Sequence, residues 1–216
     1  MAIVLYSYFR SSAAYRVRIA LNLKQVDYQI RPVHLLKEGG EQYSSDYKAI
    51  NPQARVPTLM IGDRVFTQSL AIIEYLEEVY PEPPLLPAEA GPRAYVRSLA
   101  QLISSDIHPL NNLSVLAQLD YLSVSEEQKQ DWYCHWIEQG FSAFEILLAK
   151  HACNGRYCLG ESPTMADCVL IPQVYNALRF HCNLNAYPLI NSIYQYCTGL
   201  SAFNKAAPKS QPDDES

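Results

Sequence analysis

Ser11 and Ser12 stand where a strand-like stretch, Leu5-Tyr6-Ser7-Tyr8-Phe9, gives way to Ala13-Ala14-Tyr15-Arg16-Val17-Arg18-Ile19-Ala20-Leu21, which reads as a helix. Either serine can cap that helix. Its first backbone N–H groups have no partner inside the helix, and the macrodipole adds positive potential, so the position suits an anion and would stabilise a thiolate. A plain N-cap would use the same residues, so other segments must decide. Thr67-Gln68-Ser69-Leu70 opens a second serine-capped helix, whose free N–H groups could hold a carboxylate. Arg55-Val56-Pro57-Thr58 sets a proline directly before a strand. A cis peptide there would present the backbone of Val56 at a sheet edge, where an extended peptide could pair, although propensity alone favours trans.

Other chemistries find less support. Cys134, Cys153, Cys158, Cys168, Cys182 and Cys197 form no C-x-x-C pair and no metal-ligand spacing, and are expected as buried small hydrophobes rather than a disulfide framework. The histidines, His34, His108, His135, His151 and His181, form no H-x-x-x-H pair, so no metal is expected.

The elements that would carry these groups change character near residue 81. Before it, strands are expected at 2–8, 28–33, 58–61 and 64–66, and helices at 12–24 and 69–80. Such alternation implies an α/β layer, and Gly62-Asp63 between two short apolar runs reads as a hairpin turn, which makes the sheet mixed. Residues 39–51 are polar and tyrosine-rich, suited to a loop or a short irregular helix. Pro81, Pro83, Pro84, Pro87 and Pro92 mark a stiff linker over 82–92 with no regular structure.

Beyond it the chain reads as helical. Val96, Leu99, Ala100, Ile103 and Ile107 recur at helical spacing until His108-Pro109 ends or kinks the helix. Ser125-Glu126-Glu127-Gln128 and Thr164-Met165-Ala166-Asp167 are capping-box patterns. The first opens a helix whose Trp132, Trp136, Phe141 and Phe144 are expected in the core, the second a helix ending at Arg179. A last helix is expected over 187–198. The domains are thus 1–81, a linker 82–92, and 93–207, followed by a tail at 208–216 whose polarity predicts disorder.

The chain has 216 residues, 49% of them hydrophobic and 18% charged, as in an ordinary globular protein. Its net charge of -5 includes three charges from Asp213, Asp214 and Glu215, and Lys and Arg form no cluster, so a nucleic-acid partner is not expected. No stretch approaches the ~18 apolar residues that span a bilayer, and no secretory leader opens the chain, which points to a cytoplasmic protein without a membrane partner.

A thiolate site, an exposed peptide edge and a carboxylate site are the three features that glutathione would need. With them, the run Ser11-Ser12-Ala13-Ala14-Tyr15-Arg16-Val17-Arg18-Ile19-Ala20-Leu21 resembles the Ser-Ser-Cys-x-Trp-Arg-Val-Arg-Ile-Ala-Leu motif of zeta-class glutathione transferases. The likeness continues through Asn51-Pro52, Val56-Pro57-Thr58-Leu59, residues 68–78, Pro109-Leu110, residues 112–116, Met165-Ala166-Asp167 and Pro172-Gln173-Val174. It departs at Ala13, which replaces the cysteine, and at Tyr15, which replaces the tryptophan.

The resemblance implies a thioredoxin-like domain with a mixed sheet followed by an all-helical domain, and glutathione as cofactor. It implies that Ser12, with Ser11 beside it, lowers the pKa of the glutathione sulfur. Val56 would pair with the cysteinyl backbone through a cis Val56-Pro57 bond, and Gln68 and Ser69 would hold the γ-glutamyl end. Gln42, His108, Asn112 and Ser114 would line the remainder. Arg179, Arg10 and Tyr8 would face a small dicarboxylate substrate; Tyr8 is also the rival thiolate activator. The implied activity is cis-trans isomerisation of maleylacetoacetate in tyrosine and phenylalanine catabolism by a homodimer. The alternatives are a general transferase acting on small electrophiles or α-haloacids, and a non-catalytic binding protein of the same fold.

Overall fold

The computed structural model describes residues 2–215. They form two compact units, one running to Leu85 and resuming at Gly199, the other spanning Leu86–Thr198.

In the first unit, β1 (Ile3–Ser7) lies at the centre of a four-stranded sheet of order β2-β1-β3-β4. It runs parallel to β2 (Gln29–Pro32) and antiparallel to β3 (Thr58–Ile61), which turns through Gly62 into β4 (Arg64–Thr67). Gly62 has φ 58°, a conformation that a two-residue hairpin turn requires and glycine adopts without cost. The helices α1 (Ser12–Leu23) and α3 (Ser69–Val79) pack together, burying Val17, Ile19, Leu21, Ile72, Ile73 and Leu76 with Leu5 and Leu59 of the sheet. A second cluster gathers Tyr6, Tyr8, Phe9, Val33, Tyr47 and Val56. Tyr47 belongs to α2 (Ser45–Ile50), which Ser44 caps by accepting from the Tyr47 N–H at 3.2 Å. The polar stretch before it forms two single 3₁₀ turns, Lys37–Gly39 and Glu41–Tyr43.

Residues 199–215 depart from the sequence reading, which leaves 208–216 disordered and assigns 199–207 to the helical domain; Ser216 lies outside the described residues. In the structure α9 (Ser201–Ala206) packs on α1, with Phe203 and Ala206 fully buried. A 3₁₀ turn at Pro208–Ser210 follows, and Asp213 accepts from the Phe9 N–H at 2.9 Å. Specific partners in this unit, rather than composition, order the segment.

The second unit begins with α4 (Ala90–Gln101). Pro92 falls in its first turn, where a missing N–H costs nothing, so the expected linker ends earlier than its prolines suggest. A π-helical stretch (Leu102–Ile107) and a 3₁₀ turn (His108–Asn111) continue it, which is the form the expected kink takes. Then come α5 (Leu113–Tyr121), α6 (Glu126–Lys150), α7 (Met165–Arg179) and α8 (Pro188–Thr198). Both expected capping boxes form. Phe141 and Phe144 are fully buried, whereas Trp132 and Trp136 are only partly so. Cys158, Cys168 and Cys197 are buried thiols, as expected. Cys134 and Cys182 instead form a disulfide between α6 and the turn after α7, with Cα atoms 5.3 Å apart. A separation of 48 residues carries no spacing signal, which is why the pairing is invisible in the sequence. Among the described residues no helix is long and apolar enough to cross a membrane.

Candidate functional site

The sheet register brings three segments to one edge. Tyr6 of β1 lies opposite Thr58 of β3, and Thr58 opposite Thr67 of β4. The loop leaving β1 toward Ser11, the Val56-Pro57 segment entering β3, and Gln68-Ser69 leaving β4 therefore share the same end of the sheet. Residues far apart in sequence meet there because antiparallel pairing reverses the chain twice.

At the start of α1, Ser11 is the cap: its Oγ accepts from the Ala14 N–H at 3.2 Å. Ser12 is the first helical residue and is buried. No acidic residue occupies the first turn of α1 or of α3, so neither helix start has an internal anion to offset its dipole.

Val56–Pro57 is a cis peptide. The segment before it is pinned from below. Asn51 Nδ2 donates to Arg55 O at 2.8 Å and to Thr58 Oγ1 at 3.0 Å, and Tyr47 Oη donates to Arg55 O at 2.7 Å. Burial raises the Tyr47 pKa, which keeps this hydroxyl protonated as a donor. The Val56 N–H and C=O engage no other backbone group among the described residues, which leaves an edge that an extended peptide can join.

Gln68 precedes α3 with φ 67°, a left-handed conformation that is unfavourable for a residue with a side chain. Its Nε2 donates to Gln53 Oε1 at 2.8 Å, a partner the sequence does not announce. Ser69 is buried and accepts from Arg16 Nη1 at 3.3 Å. Gln42 is buried too: Nε2 donates to Leu35 O at 3.3 Å, while Oε1 has no partner among the described residues. A Cβ on Gly40, whose φ is 105°, would meet Gln42 Nε2 at 2.5 Å, so glycine at that position makes room for the amide.

Tyr8 is buried, and its hydroxyl accepts from Arg10 Nη2 at 2.8 Å and Nε at 3.3 Å. The guanidinium thereby takes up lone pairs of the rival activator, and it also lies 4.9 Å from the Phe9 ring centroid.

His108, Asn112, Ser114 and Arg179 belong to the second unit. His108 opens the 3₁₀ turn, and Asn112 caps α5, its Oδ1 accepting from Ser114 N at 3.1 Å and Ser114 Oγ at 3.0 Å. Arg179, in the last turn of α7, is exposed and makes no ion pair among the described residues; its guanidinium lies 4.7 Å from the Phe180 ring centroid. Phe180 stacks in turn on Tyr133, with centroids 3.7 Å apart. This cation is uncommitted to an acid among the described residues.

Comparison with known proteins identifies the family. Residues 5–84 match the glutathione S-transferase N-terminal domain family. A probable maleylacetoacetate isomerase of Vibrio cholerae is 48% identical over 214 residues, covering 99% of both chains. The holo structure of maleylpyruvate isomerase, described as a bacterial zeta-class glutathione S-transferase, superposes with a TM-score of 0.94 at 48% identity, covering 98% of this chain and 99% of that one. A maleylacetoacetate isomerase of Methylobacterium extorquens, crystallised with malonate and glutathione, gives 0.93 at 38% identity, covering 99% of this chain and 100% of that one. The chain belongs to the zeta class of the glutathione S-transferase family.

Proposed function

We infer that the protein is a glutathione-dependent cis-trans isomerase of maleylacetoacetate. The observation that carries this reading is the convergence, at one sheet end, of two acid-free helix starts with the unpaired backbone of Val56. These meet the needs of a thiolate, a carboxylate and an extended peptide. The buried, unpartnered Gln42 Oε1 supplies an acceptor for a further amide. When bound, glutathione supplies a thiolate that adds reversibly across a conjugated double bond, which then rotates as a single bond.

The chain's own groups do the remainder. The start of α1 and the Ser12 hydroxyl hold the sulfur as an anion, Val56 fixes the peptide by strand pairing, and Gln68 and Ser69 hold the γ-glutamyl end. Ala13 brings no thiol of its own, so Ser12 is the side chain assigned to the sulfur. Arg10 and Tyr8 serve the substrate from the first unit. Membership of the class further assigns Arg179 to a substrate carboxylate and His108, Asn112 and Ser114 to the ligand. The protein acts as a cytoplasmic homodimer in aromatic amino-acid breakdown, expectations that rest on membership of the class.

The test is turnover of maleylacetoacetate by purified protein. Conversion that requires glutathione, and that falls in Ser12→Ala, supports the reading; glutathione binding without conversion refutes it. A second substrate is favoured by the 48% identity to a maleylpyruvate isomerase. Maleylpyruvate offers the same cis double bond between two carbonyl functions, and the ratio of kcat/KM for the two compounds decides which is preferred.

A further inference from the structure

Arg16 is a buried cation with no counter-charge among the described residues. Its side chain lies inside the first unit at 2% exposure. One nitrogen, Nη1, reaches Ser69 Oγ at 3.3 Å, while Nε and Nη2 have no partner among the described residues. No carboxylate offsets the charge among the described residues, and desolvation alone lowers the pKa, to about 10, so the group is still charged at neutral pH. Burying a charge in this way is among the costliest arrangements a fold can keep, and replacing such a group by an apolar one is often neutral or stabilising. Fold stability does not explain it.

Its position does. Arg16 lies one helical turn beyond Ser12 on α1 and is bonded to the first residue of α3. By donating to Ser69 Oγ it occupies a lone pair of that hydroxyl. The Ser69 hydrogen, which has no acceptor among the described residues, is then left to donate outward at the start of α3. The positive field there adds to a helix dipole that no acid in the first turn offsets.

We propose that Arg16 is a positioning residue for the α-carboxylate of the γ-glutamyl residue of glutathione, acting through Ser69 by fixing its hydroxyl as a donor and supplying the charge that the carboxylate neutralises. This rests on the glutathione-site reading above.

Calorimetric titration of wild-type protein, Arg16→Met and Arg16→Lys measures it, using glutathione and an analogue in which that one carboxylate is an amide. Thermal melts without ligand accompany each. Arg16→Met should bind glutathione at least about tenfold more weakly, the analogue should bind wild type and Arg16→Met alike, and Arg16→Lys should recover part of the loss. The ligand-free melting temperature of Arg16→Met should stay level or rise, which a structural role would not allow. Unchanged glutathione affinity in Arg16→Met overturns the proposal and leaves the site reading standing. Equal weakening of both ligands overturns the assignment to the carboxylate. Failure of the wild type to bind glutathione overturns the site reading and the proposal with it.

Discussion

Two arginines, two residues apart on α1, are almost equally buried and live in opposite circumstances. Arg18 uses every nitrogen. Its Nε donates to Ala206 O at 2.9 Å, Nη1 to Ser7 Oγ at 2.9 Å and Tyr8 O at 3.3 Å, and Nη2 to Phe9 O at 2.9 Å. It ties the end of β1 and α9 to the helix, so the loop that delivers Ser11 and Ser12 has a fixed floor. Arg16 has one neutral partner. Both guanidinium groups sit near pKa 10 because burial disfavours their charge. Equal desolvation with unequal compensation separates a residue that holds the fold from one that waits for a ligand.

The contrast can be broken by substitution. Arg18→Met leaves Ala206 O, Ser7 Oγ and Phe9 O without their donor, while Tyr8 O keeps the Ser11 N–H, and should cost at least about 3 kcal/mol, read as a large fall in the denaturant midpoint. Asp213→Ala removes the acceptor of the Phe9 N–H and should cost about 1–2 kcal/mol, a loss that would be absent if the C-terminal segment were disordered. Gln68→Gly relieves a left-handed residue and should gain up to about 1 kcal/mol of ligand-free stability while weakening glutathione binding, since the side chain is lost. Arg16→Met should change ligand-free stability least, staying level or rising by less than about 1 kcal/mol. A collapse of Arg16→Met comparable to Arg18→Met would erase the distinction.

Much of the first unit is legible in sequence because its signals are local. Apolar runs mark the strands, Gly62-Asp63 marks the hairpin, and Ser11 marks the start of α1 as its cap; the expected serine cap of α3 does not form, because Ser69 is already the first helical residue and Gln68 before it makes no side-chain cap bond. The two capping boxes of the second unit are local as well, and both form. What could not be read depends on partners distant in the chain. Asp213 finds Phe9 across 204 residues, Arg18 finds Ala206 across 188, and Cys134 finds Cys182 across 48. Gln53 as the partner of Gln68 is hidden for the same reason. The solitary state of Arg16 is likewise a three-dimensional fact, since a helix pattern shows an arginine on a face but not the acids missing around it. The resemblance to the zeta class supplied the cis Val56-Pro57 bond, which propensity weighs against.

Function as proposed depends on the start of α1 holding the glutathione sulfur as a thiolate. Ultraviolet thiolate absorbance of protein-bound glutathione, followed across pH, measures this directly. The expected midpoint lies at least about one pH unit below that of free glutathione, moving back upward in Ser12→Ala and less affected in Tyr8→Phe. A bound midpoint equal to that of free glutathione, or one that moves in Tyr8→Phe and not in Ser12→Ala, would contradict it.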